Sequence, residues 1–262
     1  MSQTTPLPMD VRLMHAVASL LFAAAALAGL SALLAWGARL PAFAIREVRV
    51  TGDVSHYNAI TLRANVIPRL QGTFFTLDVA AARQVFETIP WVRQAIVRRE
   101  FPNRLNVQLQ EHQALAFWGP EGSSSMVNSF GEVFDANVGE LEQDNLPRLS
   151  GPDDQSARVL AMQQTLQPLL ARLDMTINAL ELTPRGGWRA QLDTGTEVEL
   201  GSGEAPELVA RAERFLATVT QVTARYQRRP EQLASVDLRH TDGYAMRLEG
   251  VTTLDSTASK QQ

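Results

Sequence analysis

Four histidines, a serine triplet, a glycine-flanked serine and two glutamates are the residues of this 262-residue chain whose types could do chemistry. His15, His56, His112 and His240 lack any metal-ligand spacing such as His-Glu-x-x-His, and they read as membrane-edge, surface or strand residues. Ser123-Ser124-Ser125 follows Gly122 without the Gly-x-Ser-x-Gly elbow that would expose a nucleophile, so a turn is the simpler reading. Gly201-Ser202-Gly203 could cradle a phosphate, yet neither a Walker lysine nor a third glycine follows. Glu197 and Glu199 alternate onto one strand face with no acidic partner nearby, the pattern of a wet surface. Cysteine is absent, which excludes disulfides, thiol nucleophiles and cysteine-held metals and is compatible with an oxidising compartment. These residues assign no catalytic group, no cofactor and no metal.

The elements around them explain more. Ala16 to Ala38 is a run of 23 residues without a charge. At about 1.5 Å per residue a helix of that length crosses a hydrocarbon core of about 30 Å with some tilt. A cleavable signal would also be apolar and N-terminal, and Ala42-Phe43-Ala44 has a small-x-small form, but such apolar regions usually run only about 7–15 residues. A buried core helix would show a polar stripe at helical spacing, and none interrupts the run. The expectation is an uncleaved anchor, with residues 1–15 as a disordered tail and 39–44 as a linker. Arg12 and His15 stand against Asp10 before the span, while Arg39, Arg46 and Arg49 follow it, so charge alone does not orient it.

The 218 residues beyond position 44 suffice for one or two cored domains. The net charge of −4 gives no basic footprint for nucleic acid. Lys260 is the sole lysine, an arginine bias that reads as genome composition.

Along the chain, Glu47 to Thr51 alternates as a strand with Val48 and Val50 on one face, ended by Gly52. A helix is expected from about Asn58, carrying Ile60, Ala64 and Ile67 at i, i+4, i+7. Gly72 to Leu77 is a loop rich in apolar anchors. Asp78 caps a second helix with Val79, Ala82, Phe86 and Ile89 on one side, and Pro90 stops it. Two strands follow, one with Trp91, Ala95 and Val97 on a face, the other alternating Leu105, Val107 and Leu109 with polar residues; Phe101 to Arg104 is the turn between them. Strand, helix, helix, strand, strand makes one small α+β unit.

The second half predicts a helix from Asp153 or Asp154 to about Leu173, with Val159, Met162, Leu166 and Leu169 inward. Strands are expected near Ile177–Leu182, Trp188–Leu192 and Glu197–Leu200, separated by Pro184, Gly186 and Gly187 and by Asp193 to Gly195. A helix from Pro206 to Tyr226 repeats Leu208, Ala212, Phe215, Val219 and Val222. Val236 to Leu248 supplies a last strand or hairpin, and the tail beyond Gly250 is expected to be disordered. The class is α+β: an antiparallel sheet with helices on one face. If Val236 to Leu248 ends that sheet, its unpaired amides and carbonyls could accept a strand from another protein. On the residues alone, an ordinary edge guarded by charges such as Asp242 and Arg247 is the simpler reading.

The order strand, helix, helix, strand, strand resembles a POTRA domain. Ile89-Pro90-Trp91-Val92, Phe101-Pro102-Asn103-Arg104-Leu105, Glu111 through Ala116-Phe117-Trp118, Val127 through Phe134 and Leu146 through Pro152 narrow the resemblance. Gly187-Trp188-Arg189, Asp193-Thr194-Gly195, Val198 to Gly201 and Val236 through Ala245 complete it. Together, behind an N-terminal span, they resemble the FtsQ/DivIB family of bacterial cell-division proteins across nearly the whole chain. Ala114 departs from the pattern, standing where many relatives are expected to carry proline, which leaves the local strand bend open.

The resemblance implies a single span at 16–38, a POTRA domain over 45–114, a β domain over 115–250 and a tail over 251–262. It implies a cytoplasmic N-terminus, periplasmic domains and an inner-membrane protein enriched at the division septum. It further implies a non-enzymatic scaffold that holds FtsB, with FtsL, by strand addition on the last strand of the β domain, and recruitment through the POTRA domain by FtsK and other divisome subunits. Transferred by position, the contacts are Arg239, His240, Asp242, Gly243, Tyr244, Ala245, Met246, Arg247 and Leu248. Glu197 joins them, at a position where relatives can carry arginine. Two rival readings are a POTRA module of an envelope transport system and a membrane-anchored cell-wall enzyme. No run of alternating ten-residue strands follows to build a barrel, and the second would need the carboxylate or nucleophile constellation that the residues do not supply.

Overall fold

The computed structural model describes residues 9–52, 66–136 and 146–251. The chain divides into two compact units, Met1–Glu111 and His112–Gln262.

In the first unit, helix α1 spans Met9–Ala38. It starts earlier than the uncharged run implies: Met9 to His15, expected to be disordered tail, form its first two turns. Absence of charge records what lipid tolerates, whereas the helix itself continues outward, with Asp10 favourably placed in its first turn. Strand β1 (Glu47–Gly52) leads to the stretch 53–65, and the expected helix from Asn58 falls there, outside the described residues apart from Val66 and a short 3-10 turn over Ile67–Arg69. Helix α2 (Val79–Glu87) begins as its cap predicts: the Asp78 carboxylate accepts the amides of Ala80 at 2.8 Å and Ala81 at 3.2 Å.

Strands β2 (Val92–Glu100) and β3 (Arg104–Glu111) pair antiparallel, while β1 lies parallel to β3 on its other side. Leu105, Val107 and Leu109 are buried, as the period-two pattern requires. They meet Ala82 and Phe86 of α2 in one apolar cluster. Val92 and Ala95 are both buried although three residues apart, because the register slips between Val92 and Gln94. That bulge adds an inward residue which strict alternation from Trp91 does not predict.

The second unit is one nine-stranded sheet. Its strands are β4 (Ala114–Trp118), β5 (Ser125–Asn128), β6 (Val133–Asp135), β7 (Arg148–Ser150), β8 (Ile177–Leu182), β9 (Gly187–Leu192), β10 (Glu197–Ser202), β11 (Leu233–Asp237) and β12 (Ala245–Leu248). Their spatial order is β12-β11-β10-β9-β8-β7-β4-β5-β6. Helices α3 (Ser156–Leu170) and α4 (Ala205–Arg225) bury Val159, Met162, Leu166, Leu208, Phe215 and Val219 with the inward residues of the sheet, around Trp188. Thr223 rather than Val222 closes the buried stripe of α4.

The sheet is mixed, and the expectation of an antiparallel sheet is corrected. The pairs β4–β7, β7–β8 and β10–β11 are parallel. The reason is connectivity: α3 carries the chain from β7 back to the start of β8, and α4 does the same between β10 and β11, so each following strand runs in the same direction. At Ala114 the register of β4 against β5 slips before Ala116, so the strand bends there without a proline.

The motif Val127 to Phe134 is a turn built on one buried side chain. Asn128 Oδ1 accepts the amides of Phe130 at 2.8 Å and Glu132 at 2.9 Å. Its Nδ2 donates to Glu132 Oε2 at 2.7 Å and lies 2.8 Å from His112 Nδ1, while the His112 ring stacks on Phe134 at 4.1 Å. Gly131 takes φ +79°, and a Cβ there would stand 2.6 Å from Ala157 Cα.

Candidate partner-docking edge

Strand β12 forms one border of the nine-stranded sheet; among the described residues nothing pairs with its outer side. The inner side pairs antiparallel with β11, through Asp237–Ala245, Val236–Met246, Ser235–Arg247 and Leu233–Leu248. The extra residue of this pair, Ala234, lies on β11, and the Thr196 hydroxyl takes up the Leu233 carbonyl there at 2.7 Å. Alternation along β12 is therefore uninterrupted. The Glu249 amide donates to the Gln232 carbonyl at 3.1 Å, toward β11. Amides alternate sides in an antiparallel strand, so those of Met246 and Leu248 face the free edge. The Val251 amide lies 3.4 Å from the Leu248 carbonyl and turns the chain at the end of that edge. Val251, assigned to the tail by sequence, packs against the core of this unit; 252–262 lie outside the described residues.

Side chains of the predicted docking residues divide by face. Ala245 and Arg247 are exposed on the side of the sheet away from the helices, whereas Met246 is half-buried against the core and Leu248 is buried. Glu197 is brought to the same face: Glu197, Ser235 and Arg247 are register neighbours across β10, β11 and β12. At strand spacings of about 4.8 Å, the first and last lie about 10 Å apart. Glu197 is exposed; Glu199, two residues on, is engaged by Arg189 at 2.7 Å, and Arg189 also reaches Glu181 at 3.5 Å. The Glu199 carboxylate holds the Arg189 guanidinium pKa above its ordinary value.

The 238–244 connection is held from three directions. Asp237 accepts the Arg239 amide at 3.0 Å and its guanidinium at 2.8 and 2.5 Å. That guanidinium pulls the Asp237 carboxyl down to about 2. Arg214 of α4 donates to the Thr241 carbonyl. The Tyr244 ring meets Phe215 edge-on at 5.2 Å, and its hydroxyl lies 2.9 Å from Thr218 Oγ1. Tyr244 is thus turned toward α4. His240 and Asp242 are exposed, and Gly243 is half-buried.

Residues with catalytic types are used otherwise. Ser125 donates to Asp135 at 2.6 Å, and Ser123 Oγ accepts the Ser125 amide at 3.2 Å. The Gly201–Gly203 stretch is closed over by side chains: a Cβ at Gly201, where φ is +82°, would meet Arg239 Cγ at 2.9 Å and Arg211 at 3.1 Å. His56 lies outside the described residues. No group of three or more metal-ligating side chains occurs among the described residues.

Sequence reasoning missed Arg214, Thr218 and Asp237, which brace the connection into the edge, and Arg189, which ties β9 to its neighbours β8 and β10. Only Asp237–Arg239 had a local signal, opposite charges two apart in sequence at the end of β11. The others meet their partners through helix packing or sheet register.

Comparison with known proteins agrees with this architecture. A profile described as "POTRA domain, FtsQ-type" matches residues 43–112, and one described as "Cell division protein FtsQ/DivIB, C-terminal" matches residues 116–239. The chain is 40% identical to the cell division protein FtsQ of Thiomonas arsenitoxydans, over 94% of this chain and 90% of that one. It is 39% identical to that of Burkholderia pseudomallei, over 95% and 97%. It is 33% identical to that of Bordetella pertussis, over 97% of each. With an N-terminal helix over Leu13–Ala38 long and apolar enough to cross a membrane, a POTRA unit and this sheet unit in order, the chain belongs to the FtsQ family of membrane-anchored cell-division proteins.

Proposed function

We propose that the chain is a non-enzymatic scaffold that holds FtsB, and FtsL with it, by strand addition along β12, and so localises and regulates septal peptidoglycan synthesis. The observation that carries this reading is the outer side of β12, unpaired among the described residues, where the Met246 and Leu248 amides face outward. An incoming strand would take those amides and the facing carbonyls, while Arg247, Ala245 and Glu197 on the exposed face would sort its side chains. Arg239, His240 and Asp242 would meet whatever extends past the strand. In this reading the N-terminus is cytoplasmic, both units are periplasmic, and the protein resides in the inner membrane at the septum. The POTRA unit would serve recruitment, through FtsK or another early subunit.

The test is binding of the detergent-solubilised full chain to the periplasmic segment of its own FtsB, wild type beside Met246→Pro and Met246→Ala. Proline removes one outward amide. Loss of binding in the proline variant is the expected result, with binding kept by Met246→Ala, which loses the same half-buried side chain and retains the amide. Tight binding by wild type and the proline variant alike moves the interface elsewhere, and no binding by wild type overturns the mechanism.

A further inference from the structure

The first unit carries a chain of aromatic rings that starts where α1 ends. The Thr73 hydroxyl donates to the Ala38 carbonyl at 2.6 Å, satisfying an orphan carbonyl of the last turn of α1. The Phe74 amide donates to the Phe43 carbonyl at 2.7 Å, and Ala44 bridges Thr73. The loop Gly72–Leu77 is thereby fastened to the exit of the helix. From that point the rings run edge-to-face: Phe43 to Phe75 at 4.9 Å, Phe75 to Phe74 at 5.2 Å, and Phe74 to Phe101 at 5.9 Å. They are not core residues. Phe75 is 50% exposed, Phe101 is 74% exposed, and Trp36 in the last turn of α1 is 64% exposed.

Several large aromatic side chains left in water beside a membrane helix form a costly surface, and the bilayer adjoining that helix is what is available to cover it. Trp36 suits the headgroup level, where its apolar ring and polar N–H are both accommodated, and Phe rings insert at the headgroup/acyl boundary by burying apolar area. Arg39 and Arg46 are exposed beside the collar, and the Arg46 amide donates to the Asn103 carbonyl in the turn that bears Phe101. Exposed cations that follow a span so closely in sequence can meet lipid phosphates.

We propose that Phe75 and Phe101, with Phe43, Phe74 and Trp36, form a collar seated in the lipid interface of the leaflet from which α1 emerges. The POTRA unit then rests on the membrane instead of swinging on a free linker. The occupant is the bilayer, continuous with the span itself, and this inference rests on the membrane-anchored reading of α1.

The test exploits the absence of cysteine. Single variants Phe75→Cys, Phe101→Cys, Gln94→Cys and Leu33→Cys of the full chain are labelled with an environment-sensitive fluorophore. They are placed in nanodiscs of phosphatidylethanolamine and phosphatidylglycerol carrying nitroxide lipids labelled at shallow or deep positions. Gln94 is exposed on β2 and lies about 23 Å from Phe101 along the strand at ~3.3 Å per residue. The expected result is shallow quenching at 75 and 101, from side chains seated about 5–10 Å into the headgroup boundary, well above that at 94. Leu33, inside the span, should be quenched by the deep label. Quenching at 75 or 101 no greater than at 94, with Leu33 quenched deeply, overturns the collar alone and leaves its rings to a protein partner. Loss of deep quenching at Leu33 overturns the span and the collar together. Both aromatic positions are exposed, so labelling leaves the fold intact, and circular dichroism of each variant verifies it.

Discussion

The hydroxyl of Tyr244 lies 2.9 Å from Thr218 Oγ1 on α4, while its ring stands edge-on to Phe215 at 5.2 Å. A residue that position alone would assign to partner contact is therefore a strut between the last hairpin and the helix behind it. Tyr244→Phe removes one hydrogen bond and should cost about 1 kcal/mol. Tyr244→Ala also removes a half-buried ring and should cost about 2–4 kcal/mol. Chemical denaturation checks both values. Loss of binding in the alanine variant alone, tracking its stability, would assign Tyr244 to bracing of the edge.

Neighbouring prolines on β12 should separate docking from folding. Met246→Pro deletes an amide that faces away from β11 and should cost no more than Met246→Ala, which loses the same half-buried side chain and keeps the amide. Arg247→Pro deletes one that faces β11, breaking the hairpin ladder at a cost of about 1–3 kcal/mol. Thermal melts of the three variants give the comparison. Destabilisation by Met246→Pro equal to that by Arg247→Pro, and beyond that of Met246→Ala, would show that the amides do not alternate as the Glu249–Gln232 bond requires.

Asp237 makes part of the stability depend on pH. Its carboxyl sits at about 2 in the folded chain against an ordinary value of 3.8, because the Arg239 guanidinium favours the charged form. A depressed carboxylate stabilises the fold fully above its unfolded pKa, and the contribution disappears as pH falls through the folded one. The stability difference between wild type and Asp237→Asn should thus be constant above about pH 5 and shrink between about pH 4 and 2. Denaturant titrations at stepped pH measure it. A difference that persists at pH 2 would place the effect of the substitution elsewhere.

The Asn128 turn should be the least tolerant loop of the sheet unit. Gly131→Ala forces a Cβ to within 2.6 Å of Ala157 Cα at a φ of +79°. Backbone cannot move aside as a flexible side chain can, so a loss of about 2–4 kcal/mol is expected. Asn128→Ala orphans the amides of Phe130 and Glu132 and should cost a similar amount, about 1–3 kcal/mol for each unsatisfied group. Denaturation midpoints of the two variants test the pair. A change under about 0.5 kcal/mol in either, the range of an ordinary surface substitution, would contradict this geometry.

Much of the architecture is legible in the amino-acid sequence. The alternation of Leu105, Val107 and Leu109, the Asp78 cap, the heptad-like spacing of Leu208, Phe215 and Val219 and the uncharged run to Ala38 each state locally which side of an element faces away from water. Period and capping are properties of neighbouring residues, so one chain suffices to read them. The direction of β8 and β11 was not legible, because it follows from how α3 and α4 carry the chain across the sheet. Nor was the alignment of Glu197 with Arg247, which depends on the register of three strands and on the place of the Ala234 bulge. The last strand as a border of the sheet could be read from sequence, but not which of its residues look outward. Tyr244, Met246 and Leu248 face the core and Ala245 and Arg247 the other side, because side-chain direction at a sheet edge is decided by what packs behind it. Only the tertiary structure brings α4 to that place.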